Sequence, residues 1–196
     1  KPNAGKIIVG GVDVAKLRNR KVYKIRRKIG VVFQDFKLLY KSTVYENVAF
    51  ALEIFGLPKD EIHSKVLKVL DLVGLKNKAK NYPTELSGGE MQRVAIARAI
   101  VNDPDIILAD EPTGALDTKT SVQIMELLKE ISHEKLIIMV THNPELAKKY
   151  STRIVKLLDG KVLVEGSFPI LQKKKKDYCK MYGISKERAK DRFKIT

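Results

Sequence analysis

A chain of 196 residues with 44% hydrophobic side chains can bury a sizeable core and is too apolar to be disordered. Its single cysteine, Cys179, excludes an intrachain disulfide framework and a cysteine-based zinc site and points to a reducing compartment; no apolar run nears the roughly 18 residues of a membrane span. The net charge of +15 is polar in its distribution, with +10 over residues 1–41, +7 over 167–196 and −2 over 42–166.

Basic ends of this kind suit an anionic membrane surface or plain solvent. Without arginine–aromatic interleaving or zinc-finger spacing, no specific nucleic-acid partner is expected. Nothing at the start reads as a signal peptide, and Lys1 in place of an initiator Met suggests a fragment.

In chain order, 5–14 reads as two short strands around the Gly10-Gly11 turn. Residues 16–28 are a basic surface helix or loop, and 29–33 (IGVVF) a buried strand. Helical spacing covers 43–55, ended by Gly56-Leu57-Pro58, and 59–73, where Ile62, Val66, Leu67, Val69, Leu70 and Val73 form one face. A third helix runs over 87–101. Strands at 106–110 and 136–140 flank a helix over 118–132, an order that predicts a parallel pair with a right-handed crossover. A hairpin over 153–165 closes the pattern, and the basic tail beyond it shows no clear apolar period.

Ligands of parallel sheets bind beyond the carboxyl ends of the strands. Here those ends carry Gln34, then Asp110-Glu111, then Thr141-His142, which suggests one polar edge. Asp110 suits a hard divalent cation held through water, and Glu111 suits polarisation of an attacking water. Adjacent acids on an extended chain point to opposite sides and can divide those roles. Asp117 follows within reach of the same edge. His142 is either structural or a donor to a terminal phosphate, and Gln34 either touches metal or water or caps the next loop. His63 and His133 look like surface residues.

LSGGE (86–90) has the form of a capping box, with Ser87 as N-cap and Glu90 three residues on. The cap leaves Gly88 and Gly89 unexplained, since each costs roughly 1 kcal/mol in a helix. A helix start stripped of side chains lets an anion reach its backbone N–H groups, which favours a phosphate site.

FQDF (33–36), LSGGEMQRVAIARA (86–99), IILADEPTGALD (106–117) and VTH (140–142) together resemble the Q-loop, signature, Walker B with D-loop, and switch histidine of ABC transporter ATPases. Their order matches, and the 52 residues between Gln34 and Ser87 suit that family's helical subdomain. Residues 26–56 resemble the FtsE-type cell-division ATPases that partner the permease FtsX. Residues 109–132 and 139–160 look closer to the MacB/LolD-type export ATPases, which serve MacB- or LolCE-like permeases.

The resemblance implies an α/β fold with a P-loop NTPase-like parallel-sheet core. A partial ATPase domain would span 1–166 with its helical subdomain near 42–101, and 167–196 would be a basic tail. It implies ATP and Mg²⁺ as ligands, with Gln34 and Asp110 at the metal, Glu111 acting on water and His142 on the γ-phosphate. Ser87, Gly88, Gly89 and Glu90 would close over nucleotide held by a second, head-to-tail ATPase subunit, and Asp117 would communicate across that interface. The groove around Gln34 and the helices of 43–73 would receive a segment of the permease, at the inner face of the membrane.

The phosphate loop GxxxxGK[ST] is absent from the 196 residues, because Gly5-Lys6 is followed by Ile7. The resemblance puts that loop upstream of Lys1, so the chain alone is expected to bind ATP poorly. A non-catalytic fragment or pseudo-ATPase is the alternative. A chromosome-type ATPase would need a long coiled coil, for which 35–86 is too short.

Overall fold

The computed structural model describes residues 2–158 and 160–167. They fall into two compact units, Lys1–Val140 and Thr141–Thr196.

In the first unit, Gly10 and Gly11 both take positive φ (54° and 77°) and reverse the chain between β1 (Ile8–Val9) and β2 (Val12–Asp13). Among the described residues the two strands pair only with each other, antiparallel. The basic stretch after them folds into short turns and one five-residue helix, α1 (Val22–Arg26).

The main sheet has the order β3 (Ile29–Val32), β4 (Ile106–Asp110), β5 (Leu136–Val140), all parallel. Its register pairs Val32 with Ala109 and Ala109 with Met139, so the three carboxyl ends lie on one edge as expected. One face of the sheet, with Gly30, Val32, Ile107 and Ala109, is buried. The helix α4 (Gly88–Ile100) lies so close to β3 that a Cβ on Gly30 would stand 2.3 Å from the Ala99 carbonyl oxygen. On the other face Leu108, Ile138 and Val140 are exposed.

Helices α2 (Val44–Ile54) and α3 (Lys59–Leu72) pack with α4. Val44, Val48 and Leu52 of α2, Val66 and Leu70 of α3, and Val94 and Ile96 of α4 are fully buried. Each large aliphatic so buried contributes about 1.5–3 kcal/mol. Leu67 and Val69, on the apolar period of α3, are only half-buried. The crossover helix α5 (Thr118–Ile131) buries Ile124, Met125 and Leu128.

The second unit holds α6 (Pro144–Tyr150) and the hairpin of β6 (Ile154–Leu158) with β7 (Lys161–Gly166). The hairpin was expected; α6 was not. Its signal is local, with Asn143 accepting from the N–H groups of Glu145 and Leu146 and Pro144 at the first helical position. Seven residues are too few to display an apolar period. The tail expected beyond residue 166 lies, from residue 168 on, outside the described residues. Among the described residues no helix is long and apolar enough to cross a membrane.

Candidate functional site

Gln34 leaves the buried end of β3 with its side chain exposed, two residues beyond Val32. Across the sheet, a Cβ built on Gly114 would lie 3.1 Å from Gln34 Nε2 and 3.4 Å from Glu111 Cβ. Gln34 and Glu111 therefore flank the same glycine. Gly114 N–H donates to the Glu111 carbonyl (2.9 Å), closing a turn that only a small residue lets Gln34 approach.

Asp110 ends β4, exposed, in register with Val140. The backbone does not stay extended through both acids, and this corrects the expectation drawn from the sequence. Glu111 takes a left-handed conformation, φ 44°, while its N–H donates to the Val140 carbonyl at 3.0 Å. The hydrogen bond to β5 holds this geometry; Pro112 excludes the right-handed helical region for Glu111 but by itself favours an extended backbone. Strain of this type at a non-glycine residue costs of order 1–3 kcal/mol and is sustained by the surrounding packing. The acids still separate, through a turn in place of strand alternation.

A second cluster forms where α4 and α5 begin. Ser87 Oγ accepts from the Glu90 N–H (3.3 Å), and the Glu90 carboxylate accepts from the Ser87 N–H (2.9 Å) and Oγ (3.0 Å). Lys78 adds an ion pair to Glu90 at 3.5 Å. The Ser87 N–H above all, then the Ser87 hydroxyl and Lys78, hold the Glu90 carboxyl below its ordinary value of 4.5, against the opposing pull of burial. Asp117 caps α5, accepting from the Thr120 N–H at 3.0 Å and from its hydroxyl. Those two bonds lower the Asp117 pKa.

Gly89 meets this cap directly, since a Cβ there would stand 2.3 Å from Thr120 Cγ2; Gly88 is 3.4 Å from Leu116 on the same measure. At least one of the two glycines thus has a packing reason that the sequence did not disclose. The structure brings Ser87, Gly88, Gly89 and Glu90 together with the start of α5, and Gln34 together with Glu111. The segment from Glu111 to Asp117 joins the two clusters. His142 belongs to the second unit, two residues beyond β5. His63 and His133 are exposed, as expected, His63 lying 3.4 Å from the Tyr45 hydroxyl.

Three participants escaped the sequence reading. Gln92, one turn beyond Gly88, is fully buried with neither amide atom hydrogen-bonded. Asn47 is fully buried in α2, and Arg98 reaches from α4 to the segment after Gln34. Gln92 and Asn47 were detectable as polar residues on apolar helix faces. Arg98 had no such cue.

Residues 1–114 match the family described as ABC transporter. The cell-division ATP-binding protein FtsE of Bacillus subtilis is 50% identical over 168 residues, 85% of this chain and 74% of that protein. The chain belongs to the ABC transporter ATPase family. The methionine import ATP-binding protein MetN of Carboxydothermus hydrogenoformans is 46% identical over 85% of this chain, which spans half of that relative.

Among solved structures, the ATP-binding cassette MJ0796, dimeric in a post-hydrolysis state with ADP and Pi, matches with a TM-score of 0.74. It shares 41% identity over 85% of this chain and 75% of its own. CbiO1 of Clostridium perfringens, part of the cbiONQ transporter complex, matches with a TM-score of 0.81 and 30% identity over 96% of this chain and 75% of its own. The expected fold is thereby shown: an ABC ATPase cassette, α/β and P-loop NTPase-like. The chain is an ABC transporter ATP-binding subunit, FtsE-like in sequence, from a family that binds nucleotide and hydrolyses ATP.

Proposed function

We propose that this ABC ATPase chain works in a head-to-tail dimer that couples ATP hydrolysis to a membrane permease of the kind that FtsE-like ATPases serve. The observation that carries the reading is the pairing of Gln34 and Glu111 around Gly114 at the carboxyl edge of the sheet, with Asp110 ending the adjoining strand.

That edge suits Mg²⁺ in its donor chemistry. One exposed carboxylate and one side-chain amide oxygen are hard ligands, and Mg²⁺ usually takes only one or two protein oxygens while keeping waters and phosphate oxygens. Asp110 and Gln34 would hold it. Bound there, the ion would neutralise charge on the phosphates. Glu111, turned out of the strand by its left-handed backbone, accepts a hydrogen bond from the attacking water and orients it. His142 donates to the γ-phosphate. On the opposite subunit Ser87, Gly88 and Gly89 present the positive end of α4, and Glu90 keeps that end rigid through its bonds to Ser87. Asp117, hydrogen-bonded to the Thr120 that meets Gly89, would relay occupancy between sites.

The permease would meet the surface around Leu39, Tyr40, Phe50 and Ile54, all exposed on α2 and the segment before it. This places the chain at the inner face of the membrane through its partner.

The test is Glu111→Gln in an assembled ATPase carrying this chain. The amide keeps shape but accepts no proton, so turnover should fall by at least about a hundredfold. ATP should stay bound, and ATP-dependent dimers should accumulate on size-exclusion chromatography. Near wild-type turnover would remove Glu111 from the chemistry.

A further inference from the structure

We propose that Arg98 is a positioning residue for Gln34, clamping the backbone that follows Gln34 onto α4. The inference rests on the reading of Gln34 as a ligand-contacting residue, and it adds the part that sets where Gln34 stands.

Immediately after Gln34 the chain makes an unusual turn. Phe36 and Lys37, neither a glycine, take consecutive left-handed conformations, φ 59° and 49°. Side chains with a Cβ resist that geometry, so something must hold it. The Arg98 guanidinium does so, donating from Nη2 to the Phe36 carbonyl (2.8 Å) and from Nη1 to the Lys37 carbonyl (2.5 Å). Two carbonyls in succession face one planar fork, a match that the single ammonium of lysine does not reproduce.

The anchor behind the fork is rigid. Ala99, next to Arg98, packs its carbonyl against Gly30 of β3, with no room for a Cβ between them. Arg98 is itself half-buried, and among the described residues no carboxylate pairs with it. Burial lowers its pKa, as it does for a cation whose partners are neutral carbonyls. Its hydrogen bonding is thus committed to the loop.

The far end of the loop is tied independently. Asn47, fully buried in α2, accepts from the Leu39 N–H (2.7 Å) and donates to the carbonyls of Leu39, Ser42 and Thr43. Leu38, between the two ties, is buried, whereas the side chains of Leu39 and Tyr40 are exposed. The loop after Gln34 is thus fixed at both ends, to α4 through Arg98 and to α2 through Asn47.

Hydrogen exchange on this chain and turnover in an assembled ATPase carrying it test the proposal together. Arg98→Lys keeps the charge and most of the length but not the fork; Arg98→Ala removes all three. Amides of residues 35–38 should exchange at least tenfold faster in each variant while Leu39, held by Asn47, and the amides of α4 keep their protection. Unchanged exchange at 35–38, or acceleration spread through α4 as well, overturns the clamp.

For turnover, Arg98→Lys should lower the rate by roughly tenfold, as loss of an outer-shell support does. In a Gln34→Ala background it should add no further loss, because both changes act through Gln34. Losses that multiply overturn the positioning role. Should Gln34→Ala by itself leave turnover intact, the reading of Gln34 fails, and the exchange experiment alone decides whether Arg98 holds the loop.

Discussion

Helices α2 and α4 begin with the same capping chemistry and differ most in the two residues inside the cap. Thr43-Val44-Tyr45-Glu46 and Ser87-Gly88-Gly89-Glu90 are both complete capping boxes, each N-cap hydroxyl bonded to the third residue's N–H and each glutamate returned to the N-cap N–H. Even the hydroxyl-to-carboxylate distances agree, 3.0 Å in each. The cap therefore does not require glycines, because α2 forms it with valine and tyrosine. What separates the two helices is the neighbour: Gly89 abuts Thr120, whereas Tyr45 sits half-buried beside His63. A capping box says where a helix starts, and the two residues inside it say what must come close.

The largest effect that would break this comparison is Gly89→Ala. Overpacking costs about 1–3 kcal/mol, offset by the roughly 1 kcal/mol that alanine gains in helix propensity. Thr120 cannot swing its methyl aside without pulling its hydroxyl from Asp117. Net destabilisation of up to about 2 kcal/mol in urea unfolding is expected. Gly89→Ala with Thr120→Ser, which keeps the hydroxyl and deletes the methyl, should recover most of it. Failure to recover would mean that the glycine is present for another reason.

Of intermediate size are the caps themselves. Ser87→Ala and Thr43→Ala should each cost about 1 kcal/mol and match one another within a few tenths. Only Ser87→Ala should also slow ATP turnover in an assembled enzyme, and equal turnover in both variants would leave the two helices functionally alike.

The smallest effect is in pH. The Glu90 pKa is lowered on folding, so its contribution is complete above the ordinary value of 4.5 and is lost as pH falls through the lower folded value. Acid unfolding of the wild type should therefore lose stability faster below about pH 4.5 than that of Glu90→Gln. Identical acid limbs would show that the Ser87 and Lys78 contacts contribute nothing in solution.

Much of the site was legible because its elements are local. An apolar strand followed by acids, and S-G-G-E before an apolar period, are patterns within a few residues, so β3, β4, β5, α4 and α5 and the polar edge could be read directly. Parallel pairing of β4 and β5 followed from the strand–helix–strand order. Glu111 was singled out but its backbone was misjudged, since the hydrogen bond from its N–H to Val140 joins positions far apart in the chain.

By itself, then, the sequence determined the elements other than α6, the edge that the strand ends share and the family. Propensity, capping and period are properties of neighbouring residues. Only the tertiary structure decided that Gly89 is small because Thr120 is there, that Gln34 and Glu111 share Gly114, and that Arg98 holds Phe36 and Lys37 in a conformation their own side chains disfavour. Those facts are contacts between segments remote in sequence, and a contact has no signature in either segment alone.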